Sequence, residues 1–251
     1  MPRRLGQHFL VRDSVLERLT VAACGEYTAR VIEIGPGRGA LTRHLLCRAG
    51  ELHAIEVDPE LVAYLQGRFG HEPKLHLHKA NVLTTDLGQW GPAAIIGNLP
   101  YYITSPIIKK FLDLDARFEI AVFLIQREVG ERLLASPGTR DYSYLTVASQ
   151  LICEVELICQ LSPGDFRPPP KVHSTAVRFK RRPQLPANAA ALLSFVSRCF
   201  AQKRKTLRNN LRPSYGPRID GFPEAGLRAE QLSIDQLADL HRRLGAMIGS
   251  G

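Results

Sequence analysis

The sequence lacks the features of a secreted or membrane-spanning protein. Its cysteines are odd in number and form no Cys-x-x-Cys pair: Cys24, Cys47, Cys153, Cys159 and Cys199. This spacing favours reduced, mostly buried thiols over a structural zinc site. No run of about 18 apolar residues occurs, and no apolar stretch of signal-peptide length follows the basic start. We therefore expect a cytoplasmic protein without a membrane span.

Acidic residues are too few to balance the basic ones. Lys and Arg total 33 against 24 Asp and Glu, a formal net charge of +9 over 251 residues. Such an excess suits a polyanionic partner, either nucleic acid or an acidic membrane surface. The hydrophobic share of 45% is that of an ordinary globular protein.

Short apolar strands alternate with helical segments in the first half of the chain. We predict strands at 30–34, 52–57, 75–82, 93–96 and 120–125, and helices at 12–24, 40–47, 107–114 and from Asp58-Pro59 onward. This alternation is typical of a doubly wound parallel sheet. Ligands of such sheets bind at the carboxyl ends of the strands.

The pattern changes in the second half of the chain. Two antiparallel strands, 151–161 and 174–180, are predicted to flank a proline-rich segment, and helices are predicted at 189–211 and 231–248. Prolines cluster between these strands and helices. We therefore place a domain boundary there, giving domains 1–183 and 184–251.

A glycine loop follows the first predicted strand. Gly35, Gly37 and Gly39 permit a tight strand-to-helix turn, and Glu56 ends the next strand about twenty residues later. An acid there can accept hydrogen bonds from both ribose hydroxyls of a nucleoside. A dinucleotide site and a plain turn are the alternatives. Glu33 before the loop and the Gly-x-Gly-x-Gly spacing resemble the first motif of S-adenosylmethionine methyltransferases.

Asn98-Leu99-Pro100-Tyr101 follows the fourth predicted strand. An exocyclic adenine amine is a poor nucleophile because its lone pair is delocalised into the ring. The Asn98 side-chain carbonyl and the Leu99 backbone carbonyl can accept its two N–H bonds, and Tyr101 can stack on the base. A simple strand-end turn would have a similar composition.

Five segments occur in the same order as in the rRNA adenine N6-dimethyltransferases, and the chain resembles the bacterial small-subunit (16S) type of that family. These segments are Gly6–Leu10, Glu33–Gly39, Asn98–Tyr101, Phe166–Val172 and Gln202–Leu207. The resemblance implies an α/β, Rossmann-like methyltransferase sheet, mostly parallel with one antiparallel strand, and a small C-terminal helical domain. It implies dimethylation of two adjacent adenosines in a 3′-terminal rRNA hairpin, without a metal.

The resemblance also assigns residues. It implies that S-adenosylmethionine is bound by His8, Leu10, Gly35, Gly37, Glu56, Asn81 and Asn98. It implies a catalytic segment Asn98, Leu99, Pro100 and Tyr101, with Phe166 opposite Tyr101 on the target base. His8 stands where the family often has Asn, and Asn81 where it usually has Asp. Since an amide oxygen still accepts a hydrogen bond but carries no charge, we expect cofactor binding at Asn81 to be retained but weaker.

The predicted helix 189–211 carries most of a basic stretch that contains no acid. Its members are Arg198, Lys203, Arg204, Lys205, Arg208 and Arg212. A solvated helix face is one interpretation; phosphate contact is the other. The net charge and the resemblance favour RNA binding by Lys203, Arg204, Lys205 and Arg208. His71, His76 and His78 have no further ligand nearby in sequence, so no metal site is predicted.

The expected partner is small-subunit rRNA in a pre-ribosomal particle, bound by a monomer. Three alternatives remain: a 23S rRNA adenine methyltransferase that confers antibiotic resistance, a non-catalytic nucleic-acid-binding assembly or transcription factor on the same fold, and a dinucleotide oxidoreductase. Leu99 and Phe166–Val172 favour the small-subunit type. The glycine spacing disfavours the oxidoreductase.

Overall fold

The computed structural model of the protein describes residues 8–114 and 118–246. Gly6, Gln7 and the last two residues of the predicted helix 231–248 lie outside these ranges. The chain divides into two compact units, one of residues 1–130 and 153–183 and the other of residues 131–152 and 184–251. The last junction falls at the predicted position after Pro183. Residues 131–152, which the prediction placed in the first domain, pack with the second unit.

The first unit is built on a seven-stranded sheet with the order β4-β3-β2-β5-β6-β9-β7. Its strands are β2 Thr28–Ile34, β3 Ala49–Glu56, β4 Leu75–Lys79, β5 Ala94–Asn98, β6 Ile120–Gln126, β7 Cys153–Leu161 and β9 Ser174–Arg181. Within the described ranges, β9 alone runs in the direction opposite to the other six strands of this sheet. The predicted fold class is therefore confirmed. A separate antiparallel pair joins β1 Phe9–Leu10 to β8 Phe166–Arg167.

Helices connect these strands as the alternation predicted. They are α1 Asp13–Cys24, α2 Ala40–Leu46, α3 Pro59–Phe69 and α4 Thr104–Asp113. A further helix that was not predicted, α5 Arg127–Leu133, follows β6. The side chain of Asp58 caps α3 by accepting from the Glu60 N–H, and Pro59 is the first helical residue. The central strands β5 and β6 are apolar almost throughout, because both faces of a parallel sheet are covered.

The second unit is helical. Its elements include α6 Tyr144–Ile152, α7 Ala189–Cys199, α8 Leu207–Tyr215 and α9 Ile234–Ala246. Tyr142, Val147 and Leu151 share one buried cluster with α7, α8 and α9, which explains why residues 131–152 belong here. Leu151 and Ile152 are helical, so the predicted strand 151–161 begins at Cys153 instead. No helix in either described range has the length and apolar character of a membrane span.

The predicted continuous helix 189–211 is wrong. The structure breaks it between Cys199 and Leu207, and residues 200–206 form a non-helical connection. The buried side chain of Asn210 donates to the carbonyls of Cys199 and Gln202 at 2.7 and 3.1 Å. These bonds satisfy carbonyls that a continuing helix would have used, so Asn210 stabilises the break.

Candidate active site

The glycine loop joins the end of β2 to the start of α2. Gly35, Gly37 and Gly39 all have positive φ, at 66°, 58° and 76°. A Cβ atom on Gly37 would lie 2.7 Å from the Phe9 ring, so the space as well as the backbone excludes a side chain. At Gly35 a Cβ would come 3.8 Å from the Asn98 carbonyl oxygen. The loop therefore passes close to both β1 and the end of β5.

Glu56 is the last residue of β3, beside the end of β2, and it is 6% exposed. Its carboxylate accepts from the backbone N–H groups of Val57 and Asp58 at 2.9 and 3.0 Å. The Gly37 N–H donates to the other oxygen at a longer 3.2 Å. A carboxylate offers about four acceptor positions. Glu56 can therefore still accept a hydroxyl, and the long Gly37 bond is the weakest of the three.

Glu33 lies one strand away from Glu56 and is fully buried. Burial, and secondarily the charge of Glu56, raises the pKa of Glu33 to about 8, although the Thr42 hydroxyl opposes this by donating at 2.7 Å. The acid before the glycine loop is thus a proton-bearing, structural group near neutral pH. It ties β2 to the first turn of α2.

Asn98 ends β5, and its amide has a defined direction. The Asn98 Nδ2 donates to the backbone carbonyl of His8 at 2.8 Å. Since a carbonyl oxygen only accepts, the amide nitrogen must face His8 and the amide oxygen must point the other way. The neighbouring Leu99 side chain is 1% exposed, and its N–H donates to Leu124 at 3.0 Å. The segment is therefore anchored by its apolar side chain and its backbone.

Tyr101 stands beside this segment, held at its hydroxyl. The Tyr101 Oη and the Ser174 Oγ are 2.8 Å apart. Burial raises the pKa of Tyr101, with the Ser174 hydrogen bond opposing it. The Tyr101 ring faces the imidazole of His8, with centroids 6.1 Å apart and an angle of 25° between the planes.

These residues line one cleft of about 670 Å³, a volume that includes space open to solvent. The structure brings together eight of the predicted site residues: His8, Gly35, Gly37, Glu56, Asn98, Leu99, Pro100 and Tyr101. The cleft is also lined by residues that the sequence analysis did not single out: Phe9, Val57, Leu61, Tyr102 and Ile103. Phe9 and Tyr102 directly follow the predicted residues His8 and Tyr101, so their position in the sequence could have indicated that they line the cleft.

Three predicted residues do not line this cleft. Leu10 is 4% exposed and borders a smaller adjoining cavity with Glu33 and Gly35. Asn81 is exposed after β4, and its side-chain oxygen accepts from the Leu83 N–H at 3.0 Å, forming a turn. Phe166, which was predicted to stack on the target base, also lies outside the cleft lining. Its side chain is 1% exposed in the core of the first unit, because β8 pairs Phe166 with Leu10.

The predicted RNA-binding residues lie in the second unit. Lys203, Arg204 and Lys205 are exposed in the connection 200–206, which we call the basic loop, and the Lys203 ammonium donates to the Arg140 carbonyl. Arg208, at the start of α8, pairs with Asp220 at 2.9 Å. Asp220 therefore neutralises part of a stretch that contains no acid in sequence.

His76 and His78 lie on β4 and pack against other aromatic side chains. His53 stacks with both histidines and with Trp90, and the Trp90 ring also contacts His78 at a tilt. The His53 Nδ1 lies 3.1 Å from the His78 Nε2. Within the described ranges, no group of His, Cys, Asp or Glu side chains has an arrangement that could hold a metal ion.

Comparison with known proteins identifies the family. The family model described as "Ribosomal RNA adenine dimethylase" matches residues 2–244. Proteins named "Ribosomal RNA small subunit methyltransferase A" from Acidobacterium capsulatum and Synechococcus elongatus are 43% and 39% identical. These alignments cover 96% and 97% of this chain and 90% and 95% of the relatives.

Two solved structures of RNA methyltransferases have a fold similar to that of this chain. A dimethyladenosine transferase from Plasmodium falciparum is similar at a TM-score of 0.78 and 25% identity, covering 95% of this chain and 98% of the other. The 23S rRNA methyltransferase ErmE is similar at a TM-score of 0.74 and 28% identity, covering 94% and 99%. The chain belongs to the ribosomal RNA adenine dimethylase family.

Proposed function

We propose that this protein methylates the N6 amines of two adjacent adenosines in the 3′-terminal hairpin of small-subunit (16S) rRNA, using S-adenosylmethionine. One observation carries the chemistry: the His8 carbonyl orients the Asn98 amide so that its oxygen is available as an acceptor. The choice of rRNA is supported by relatives at 43% and 39% identity whose names specify the small subunit.

The cleft residues fit the cofactor. Glu56 would hold the ribose hydroxyls, because its buried carboxylate has one free acceptor position and a second occupied only by the long 3.2 Å bond from Gly37, which a hydroxyl would replace. Because Gly35 and Gly37 have no side chains, the cofactor can approach the loop backbone closely. When bound, S-adenosylmethionine supplies a methyl group activated on a sulfonium sulfur. Asn81 is proposed to face the adenine of the cofactor, and Leu10 to contribute through its backbone.

The other residues act on the target amine. The Asn98 Oδ1 and the Leu99 carbonyl accept its two N–H bonds, which localises the lone pair on nitrogen and fixes its direction. Tyr101 stacks on the base with its ring fixed through Ser174. The nitrogen becomes cationic on gaining the methyl group. Its proton then leaves to solvent, so the chain needs no dedicated general base.

We further propose that the substrate is a partly assembled small subunit and that the basic loop contacts its phosphates. The excess of 33 basic over 24 acidic residues supports a polyanionic partner. The protein would act as a monomer in the cytoplasm. The likeness to a 23S rRNA methyltransferase makes the large subunit the alternative substrate.

One experiment tests this function. Labelled S-adenosylmethionine is incubated with the protein and with small or large subunits from a strain lacking the dimethylation, and the label is mapped. We expect N6,N6-dimethyladenosine at two adjacent positions of the small-subunit rRNA only. The Asn98→Ala variant should lose at least 100-fold in kcat, since an interaction that positions the reacting amine is removed. Label in the large subunit alone would establish the alternative, and binding without transfer would indicate a non-catalytic factor.

A further inference from the structure

Tyr102 is an exposed aromatic residue on the wall of the cleft. Its side chain is 64% exposed, and it lines the cleft next to Tyr101. Among the described residues, it is the one aromatic residue of this lining that is mostly exposed to solvent. Single exposed aromatic residues are common on protein surfaces. The position of Tyr102 on the cleft, more than its exposure, therefore points to a role that the chemistry given above does not assign.

The backbone that carries Tyr102 is fixed although its side chain is exposed. Tyr101, Tyr102 and Ile103 form a single turn of 3₁₀ helix. The Pro100 carbonyl accepts from the Ile103 N–H at 3.1 Å and from the Thr104 hydroxyl at 3.2 Å. Because the turn is already ordered, placing the Tyr102 ring against a ligand costs only the freedom of one short side chain.

The two consecutive tyrosines point in different directions. Three residues make one turn of 3₁₀ helix, so neighbouring side chains diverge by about 120°. Tyr101 is partly buried, and its hydroxyl lies 2.8 Å from the Ser174 hydroxyl. Tyr102 therefore projects from the cleft wall toward solvent. A base that stacks on Tyr101 does not use the Tyr102 ring, which is left for a group joined to that base.

An RNA strand supplies such a group. Drawing a target base into a cleft breaks its stacking with the next base of the strand, so one face of that neighbour loses its contact. Stacked nucleotides follow one another about every 3.4 Å, and consecutive Cα atoms are about 3.8 Å apart, so two linked bases match two consecutive residues in spacing. A tyrosine ring stacks on the face of any base.

We propose that Tyr102 stacks on the second adenine of the adjacent pair while the first occupies the cleft. The proposal rests on the function given above and assigns Tyr102 to positioning the strand. Stacking on Tyr102 replaces the contact that the neighbouring adenine loses, so it favours the state in which the target base has left the strand. The Tyr102 ring, and not its hydroxyl, makes this contact.

A double-mutant cycle between protein and RNA tests the contact. Small subunits are reassembled with semisynthetic rRNA in which one adenosine of the pair is an abasic nucleotide, and methyl transfer to the other adenosine is measured. On intact subunits, we expect Tyr102→Ala to lower kcat/KM by about 5- to 150-fold, the range for one stacked base. Tyr102→Phe should stay within about twofold of the wild type, because it keeps the ring.

The abasic subunits give the result that a merely structural role would not produce. The wild type should lose kcat/KM on them by a factor similar to that of Tyr102→Ala on intact subunits, and Tyr102→Ala should lose nothing further. Each adenosine is replaced in turn, because the neighbour lies on the 5′ side of one target and on the 3′ side of the other. We expect the coupling for at least one of the two targets.

Tyr27 provides the matched control. Its side chain is 67% exposed, and it directly precedes β2, whereas the cleft lies at the carboxyl ends of the strands. Tyr27→Ala should equal the wild type on intact and on abasic subunits. Affinity for S-adenosylhomocysteine, measured by calorimetry, should change less than twofold in every variant. The melting temperature of Tyr102→Ala should stay within about 2 °C of the wild type, since the side chain is exposed.

Two results would overturn the stacking contact. They are wild-type kcat/KM for Tyr102→Ala on intact subunits, and the same fold-loss for Tyr102→Ala on intact and on both abasic subunits. A loss of S-adenosylhomocysteine affinity that accounts for the lower kcat/KM would place Tyr102 in the cofactor site instead.

Failure of the proposed function gives a different result, because the wild type then transfers no methyl group to small subunits. If the wild type methylates large subunits, the same cycle around that target decides the role of Tyr102. If it methylates neither, the Kd of the intact and abasic small subunits takes the place of kcat/KM in the cycle.

Discussion

At the scale of single residues, the chemistry of a side chain depends on the partner that orients it. Asn98 carries both a donor and an acceptor, and the His8 carbonyl decides which one remains for a ligand. Glu56 and Glu33 are both buried carboxyls, yet only Glu56 receives backbone N–H bonds from three residues. The two acids therefore have different hydrogen-bond partners and different roles.

The raised pKa of Glu33 predicts a pH dependence of stability. Its pKa of about 8 lies above the ordinary 4.5, so ionisation disfavours the folded state. Its contribution to stability is fully present below pH 4.5 and is lost as the pH rises through 8. Glu33→Gln keeps an acceptor for Thr42 and cannot ionise. We expect its melting temperature to exceed that of the wild type by roughly 2–8 °C at pH 8.5 and much less at pH 5.

Differential scanning calorimetry at the two pH values measures this effect. The fully exposed acid Glu26 provides a control, Glu26→Gln, which should melt with the wild type at both. If the melting temperatures of Glu33→Gln and the wild type differed by the same amount at pH 5 and pH 8.5, the pKa of Glu33 would not change on folding.

At the scale of elements, the cleft forms because the carboxyl ends of parallel strands lie at one edge of the sheet. The β2, β3 and β5 strands are neighbours running in one direction, so the glycine loop, Glu56 and Asn98 meet although they are far apart in sequence. Away from this edge, β3 and β4 bring His53 against His76 and His78, and Trp90 contacts His53 and His78.

This histidine cluster predicts acid sensitivity. Burial, reinforced by His76 and His78, lowers the pKa of His53 to about 4, and burial also lowers the pKa of His78. The unfolded chain takes up protons near pH 6.5, so stability present above that pH is lost as the pH falls toward 4. We expect His53 alone to account for about 1–2 kcal/mol of the free energy of unfolding between pH 7.5 and 5.

Urea denaturation at these two pH values tests the prediction. His53→Phe retains a flat ring against Trp90 but cannot gain a proton, so its loss of stability at pH 5 should be smaller. His71→Phe changes an exposed histidine and should behave as the wild type does. An equal loss for wild type and His53→Phe would contradict the role of His53.

At the scale of the whole molecule, exposed basic residues follow one another in the non-helical basic loop. The basic loop exposes Lys203, Arg204 and Lys205 consecutively, while Arg208 and Arg212 share Asp220. The loop residues are therefore better placed for phosphate contact than the two paired arginines. We therefore assign the proposed phosphate contacts to the non-helical part of the predicted basic stretch.

The triple change of Lys203, Arg204 and Lys205 to Glu tests the basic loop. We expect loss of binding to unmethylated small subunits, with the slope of log Kd against log salt reduced by about 2. Affinity for S-adenosylhomocysteine should be unchanged. The same charge change at Arg18, Lys74 and Lys180, which are exposed on the first unit, controls for net charge. Equal weakening by both triple variants would assign the effect to the overall field of the protein.

Several features could be predicted because they depend on local rules. Asp58-Pro59 starts a helix through its own capping geometry. The glycine loop, the strand ending at Asn98 and the sheet class follow from glycine conformation and alternating apolar segments. Family motifs then pointed to the residues of the cleft without any coordinates.

By itself, the sequence determined the alternating α/β pattern, the positive charge and the chemical types gathered at the strand ends, since these depend on composition and short-range periodicity. Only the tertiary structure decided which ring faces Tyr101, because β1–β8 pairing buries Phe166 and leaves His8 on the cleft. It also broke the helix at the basic loop through Asn210 and drew residues 131–152 into the helical unit. Those outcomes depend on contacts between distant segments, which no local propensity encodes.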